Sequence, residues 1–349
     1  ITQQVAPAVP VHVQQATFVR LDKSLEIPAQ QPTGSLPGRG GIEIGLSPKI
    51  STPPPGLRRF FEQYPFVCLE QKTSVAIGLA DTARWQGVAE ALPTYLDGSG
   101  LAAYFPGGPG SPALTAYVLS ATQAAGFTLA PEVAERMLRG LNAFAEGRVK
   151  PEHWAPQNDL VARKLTALEA LTRRGARPLS AISSLEVEPI RLPTGSLIDW
   201  YLVVKRLPDL PDRAARLAAA ERELRNRLSY VGGKLVFTSE RSDYWWWLMM
   251  SGDANAFRLI EAVIDEPAWQ ADLPALVLGA VQRQNRGRWL TTVANVWATI
   301  ALDRFGKKFE KETVAGSSRA SLAGGAAQDF AWKNWQEGDT PKLMLPWPA

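Results

Sequence analysis

From Leu57 to about residue 305 the apolar residues recur at helical spacing, and this run most limits what the chain can fold into. Leu57, Phe60, Phe61 and Tyr64 fall at i, i+3, i+4 and i+7, the stripe that one helix face presents to a core. Leu114, Tyr117, Val118 and Ala121 repeat it, as do Val133, Met137, Leu138 and Leu141. Further helices are predicted near 158–174, 196–207, 213–230, 253–265, 272–285 and 290–304. Ser111-Pro112, Ala130-Pro131 and Asn158-Asp159 supply caps or early prolines at three of the starts. No strands alternate with these segments, so the expected class is mainly α with helix packed on helix. Gly232-Gly233-Lys234-Leu235-Val236-Phe237 is the one hairpin-like interruption.

The flanks differ. Residues 1–55 read as a β-rich segment and linker. Positions 11–20 mix His12, Gln14 and Arg20 with Val11, Val13 and Val19, a pattern suited to an edge strand. Leu25-Glu26-Ile27 and Ile42-Glu43-Ile44 are short alternating runs, separated by turn residues including Pro32, Gly34, Gly38 and Gly40. Thr52-Pro53-Pro54-Pro55-Gly56 is a stiff linker into the helical region, 56–305. Residues 306–349 return to β or loop, with Lys307, Lys308, Glu310, Lys311 and Glu312 beside Phe309 and Val314.

Composition narrows the function classes. Hydrophobic residues make up 46% and charged residues 21%, ordinary values for a globular protein. The net charge of +4 comes from 38 basic and 34 acidic residues with the signs interspersed, so no nucleic-acid partner is expected. Nothing resembles a membrane span or a signal peptide, so no direct membrane insertion is expected. The start without methionine suggests a piece of something longer.

One cysteine excludes an internal disulfide. That cysteine lies in Tyr64-Pro65-Phe66-Val67-Cys68-Leu69-Glu70-Gln71-Lys72-Thr73-Ser74. Residues three apart at the start of a helical turn lie about 5–6 Å apart at Cβ. At that range a Cys68 thiolate reaches the Gln71 side-chain carbonyl, where it can expel ammonia and close an internal thioester. The reaction needs no cofactor, only proximity and a dry pocket. Phe60, Phe61, Tyr64 and Phe66 are candidates for the shield. The competing reading is a small buried hydrophobe with no chemistry.

Cys68-Leu69-Glu70-Gln71, preceded by Tyr64-Pro65 and followed by Lys72-Thr73-Ser74, resembles the thioester motif of bacterial alpha-2-macroglobulins, relatives of the complement proteins. Further segments resemble the same family in order: Leu114 to Val118, Asp243-Tyr244-Trp245-Trp246-Trp247, and Arg288 to Ala298. The resemblance implies an α/α toroid thioester domain inserted in a CUB-like sandwich domain, whose two halves are the flanks. It assigns the thioester to Cys68 and Gln71, with Tyr64, Pro65, Phe66, Leu69 and Glu70 as surrounding motif and shield. It implies a broad-spectrum protease inhibitor, not an enzyme, that traps attacking proteases covalently through their lysine amines. Other partners implied are the remaining macroglobulin-like domains. The implied place is the periplasm or outside the cell, with any membrane anchor in parts not in this chain.

Other constellations compete. A zinc site needs three or four ligands, and the chain offers Cys68, His12 and His153 without helical ligand spacing. His153, in Pro151-Glu152-His153-Trp154, is the one histidine within the helical region able to serve as a base. Its surroundings do not match the family's catalytic histidine, so amines rather than hydroxyls are the expected acceptors. The alternative function is an α/α-toroid glycoside hydrolase, with Asp199 and Asp243 as acid and base in a cleft lined by tryptophans. Against it, the twelve tryptophans also suit packing between helix layers. Gly107-Gly108-Pro109-Gly110 lacks the Lys-Ser/Thr ending of a phosphate loop and reads as a turn.

Overall fold

The computed structural model describes residues 21, 24–34, 38–150, 159–239, 245–311, 313–335 and 341–347. The expected strand over 11–20, and the residues His12, His153, Asp243 and Tyr244, lie outside them. The chain divides into two compact units, residues 51–309 and the two flanks together.

The larger unit is helical, in the order α1 (Pro55–Glu62), α2 (Leu69–Gly78), α3 (Thr82–Ala91), α4 (Pro112–Ala124), α5 (Pro131–Ala145) and α6 (Leu160–Arg173). It continues with α7 (Leu179–Ser183), α8 (Thr194–Arg206), α9 (Arg213–Asn226), α10 (Gly252–Val263), α11 (Leu273–Gln282) and α12 (Thr292–Phe309). Every second helix packs on the next: α2 on α4, α4 on α6, α6 on α8, α8 on α10 and α10 on α12. Helix α12 then returns to α2, so the inner helices close a ring. Burial separates the inner helices from the outer. Residues 112–122 of α4 and 194–204 of α8 are buried on every face, their few polar side chains, such as Ser120 and Asp199, being hydrogen-bonded inside. The outer α5 buries one stripe, including Val133, Met137, Leu141 and Phe144.

The predicted starts hold where a cap is free to act. The Ser111 hydroxyl accepts from the Leu114 N–H at 3.3 Å, and Pro131 takes the first position of α5. Asp159 precedes α6 but does not cap it, because its carboxylate takes the Arg163 Nε–H and the Trp247 indole N–H instead, both at 2.8 Å. The expected helix over 213–230 stops at Asn226, since Leu228–Val231 (β2) pairs antiparallel with Lys234–Phe237 (β3) in the anticipated hairpin. Helix α12 runs four residues past 305. Helix α3 had no clear apolar stripe; it starts on Asp81, whose carboxylate accepts from the Arg84 N–H at 2.8 Å. No helix among the described residues is long and apolar enough to cross a membrane.

In the smaller unit, Gly41–Gly45 (β1) pairs antiparallel with Lys342–Pro346 (β6), Glu43 opposite Met344. A strand from before the helical region is thus completed by one from after it. Ser317–Ala320 (β4) pairs with Gln328–Ala331 (β5). Ile42–Ile44 lies in β1 as expected, whereas Leu25–Ile27 forms no strand: those residues are exposed and have no partner strand.

Candidate functional site

Cys68 is the residue that opens α2. Its backbone is extended, and its carbonyl accepts the first helical bond from the Lys72 N–H at 2.9 Å. Gln71, three residues on, folds its side chain back so that Oε1 accepts from the Cys68 N–H at 3.1 Å. Its own N–H turns towards the Cys68 sulfur, completing a reciprocal cap. Burial and then the Glu70 charge raise the Tyr64 hydroxyl pKa, against the Gln71 side chain, which acts to lower it. The spacing read from sequence therefore does more than bring two side chains near each other. The helix start itself holds the Gln71 carbonyl over Cys68.

The site is partly dry. Cys68 is 7% exposed, and burial pushes its thiol pKa up. Leu69 is fully buried, and its N–H donates to the Tyr104 carbonyl at 2.9 Å. That carbonyl is presented by the loop 96–111, which Asp97 pins by accepting from the backbone N–H groups of Ser99 and Leu101. Gly107 to Gly110 is a turn in this loop. A Cβ on Gly110 would stand 2.1 Å from Asp97 Oδ2, so glycine is required by the close approach. Tyr104 itself has its pKa raised to about 12 by burial, then by the charges of Glu70 and Cys68.

Glu70 points the other way, into the ring. It is 8% exposed, and its Oε1 accepts from Ser74 Oγ and from Thr292 Oγ1 of α12, both at 2.7 Å. Ser74 Oγ also lies 2.7 Å from the Tyr117 hydroxyl of α4. With the serine proton given to Glu70, the tyrosine donates to the serine. Burial raises the Glu70 pKa, against the two hydroxyl hydrogen bonds that lower it. This network was not anticipated, yet Tyr117 and Thr292 sit in the two segments, 114–118 and 288–298, that accompany the motif in sequence. Those segments meet the motif at one carboxylate.

The aromatic residues expected as a shield pack on one another. Phe60 packs edge-on against Phe61 and Tyr64, with centroids 5.2 and 5.0 Å apart, and Tyr64 against Phe66 at 5.7 Å. Phe61 is buried, with its ring against Gly78 of α2. Phe66, however, is 62% exposed, and Pro65 and Val67 are exposed with it. These residues form the extended approach to the cap, before the chain enters the helix layer.

Asp199 is displaced from any catalytic role. It is fully buried in α8, ion-paired with Arg258 of α10, and accepts from Thr166 Oγ1 at 2.9 Å. No solvent or sugar reaches it, so the acid–base pair proposed with Asp243 loses this member. The run Trp245–Trp247 lies not on an α-helix but around a 3₁₀ turn, Trp246–Leu248. Trp245 and Trp247 stack at 5.9 Å and pack on Ala113, Ala162, Leu248 and Met250, while Trp246 stands 60% exposed.

Three solved structures share this architecture. Native alpha-2-macroglobulin from Escherichia coli, spanning domain MG7 to the C-terminus, superposes with a TM-score of 0.57 at 14% identity, over 84% of this chain and 50% of that one. The Salmonella alpha-2-macroglobulin reacted with methylamine gives 0.52 at 16% identity, over 81% and 20%. Trypsin-activated alpha-2-macroglobulin from Escherichia coli gives 0.52 at 17%, over 76% and 19%. The chain has the fold of bacterial alpha-2-macroglobulins. It spans half or less of each of those macroglobulin chains. No protein-family model matches the sequence, and no curated protein matches it significantly.

Proposed function

We propose that this chain is the thioester-bearing part of an alpha-2-macroglobulin-like protease inhibitor, with Cys68 and Gln71 as the reactive pair. The observation that carries the proposal is the reciprocal cap, with Gln71 Oε1 3.1 Å from the Cys68 N–H. Attack of Sγ on the Gln71 carbonyl carbon forms the C–S bond and puts negative charge on that oxygen, where the N–H already points. The C–N bond breaks and the nitrogen leaves as ammonia, carrying the thiol proton. In the second step an unprotonated amine attacks the same carbonyl, an amide forms, and Cys68 leaves as a thiol with the amine's proton.

The chemistry consumes the site once, so the reading is of a trap and not of an enzyme. The acceptor is a lysine amine of an attacking protease, in keeping with the trypsin-activated and methylamine-reacted states of the similar structures. The closed ring of inner helices is read as the α/α toroid, and the β1–β6 pair as part of a CUB-like domain interrupted by it. The partners are target proteases and the other macroglobulin-like domains, and the location is the periplasm or beyond.

Intact-mass measurement on fresh protein tests the proposal. The mass is expected to fall short of the sequence mass by one ammonia, with no titratable thiol, and Cys68→Ala or Gln71→Ala removes the deficit. A free thiol at full sequence mass in protein never exposed to nucleophiles refutes it.

A further inference from the structure

Beside the motif lies an open cavity of about 430 Å³ between α1 and the turn 284–288, lined by Arg59, Phe60, Tyr64, Arg286 and Arg288 among others. The turn is built for the position. Arg286 adopts a left-handed backbone (φ 54°), and Gly287 (φ 78°) lies against Gly56 so closely that a Cβ on either residue would meet the other's backbone at about 3 Å or less. The Arg288 guanidinium lies over the Phe60 ring at 4.8 Å, which fixes its plane. Among the described residues, none of the three arginines has a carboxylate partner, although arginines elsewhere in the helical unit are widely ion-paired. The cavity thus brings three arginines without a carboxylate partner together with two aromatic walls, Arg288 also donating from Nη1 to the Trp289 carbonyl at 3.3 Å. Two of the lining residues, Tyr64 and Pro65, belong to the segment that leads into Cys68, so the cavity adjoins the reactive pair.

We infer that this cavity binds a surface carboxylate of the captured protein and so selects acceptor amines that have an Asp, Glu or C-terminal carboxylate nearby. The inference rests on the thioester reading and adds a substrate class to it. A guanidinium fork matches a carboxylate geometrically, and stacking on Phe60 lowers the entropy lost on pairing. Phe60 and Tyr64 accommodate the apolar stem that carries the carboxylate.

Two measurements test it. Fresh protein is incubated with N-α-acetyl-lysine or with its carboxamide at equal pH, and adduct growth on Gln71 is followed by intact mass, with methylamine as the reference acceptor. The two lysine derivatives carry similar ε-amines and differ at the carboxylate. We expect the acid to react roughly five-fold faster than the amide, the upper range for an exposed charge pair. The ratio falls towards one in Arg288→Ala and Arg286→Ala and with rising salt. Equal rates for acid and amide in the parent protein overturn the inference. Loss of reaction with methylamine as well would count against the thioester and not against the cavity. The second arm therefore uses the Cys68→Ala chain, titrating N-acetyl-phenylalanine and its amide by NMR. Binding of the acid in preference to the amide, lost in Arg288→Ala, supports the cavity whatever the fate of the thioester. Absence of binding by the acid at tens of millimolar overturns it.

Discussion

Arg258→Ala is the perturbation that most directly tests how the helical ring is held. Arg258 is buried in α10, paired with the fully buried Asp199 of α8 and lying 5.6 Å from the Trp297 ring centroid of α12. It belongs to a larger buried network. Glu169 accepts from Arg173 at 2.9 Å, Arg206 at 2.8 Å and Ser120 at 2.7 Å, while Glu261 pairs with Arg173 at 3.2 Å and Arg304 at 3.0 Å. Burial pushes the Glu169 carboxyl up, but the guanidiniums of Arg173, Arg206 and Arg258 outweigh it and hold the group well below the usual carboxylate range. These residues come from α4, α6, α8, α10 and α12, so the network ties five of the six ring helices. Removing one partner of a buried pair leaves the other charge without compensation, which costs about 3–5 kcal/mol. For a unit of this size that lowers the melting temperature by roughly 6–20 °C. The assay is thermal unfolding followed by far-ultraviolet circular dichroism. The double variant Asp199→Asn/Arg258→Met removes both charges and keeps the volume, and should melt well above Arg258→Ala. An Arg258→Ala midpoint within a degree of the parent, or a double variant no better than the single, refutes the reasoning.

Other expectations follow from the site. Glu70 has a folded pKa raised by burial, so the folded state holds its proton more tightly than the unfolded chain. Its contribution to stability is full below the unfolded pKa and is lost as pH rises through the folded one. Glu70→Gln, which mimics the protonated form, should flatten that loss between acid and neutral pH in urea titrations; an unchanged slope contradicts the shift. Gly78→Ala places a Cβ 2.1 Å from the Phe61 ring, and should cost about 1–3 kcal/mol, partly recovered by Phe61→Leu. Chemical denaturation of the two variants checks it, and a neutral Gly78→Ala would mean α1 and α2 are not packed as described. Methylamine should add to Gln71 while glycerol at equal concentration gives little product, because a hydroxyl needs a positioned base. Mass analysis of both reactions decides it, and a glycerol ester lost in His153→Ala would reassign that histidine.

What the sequence determined by itself is local. Helical periodicity located most helices because burial of one stripe leaves a repeat in the order of residues. Ser111 and Pro131 marked two starts because caps act within one turn. The Cys68/Gln71 relation was legible for the same reason, since both groups sit on the first turn of one helix. What needed tertiary structure is whatever depends on partners distant along the chain. Asp199 reads as a candidate acid in sequence, and only the approach of Arg258, 59 residues away, turns it into a core ion pair. Asp159 looks like a cap until Arg163 and Trp247 claim its carboxylate. The Glu70 network joins residues 222 positions apart, and the arginine cavity is lined by residues of α1 and of the 286–288 turn, brought together where Gly56 and Gly287 meet. Hydrophobic patterning specifies which face of a helix is buried, but not which helix covers it. The partner of a buried charge is chosen by the closing of the ring.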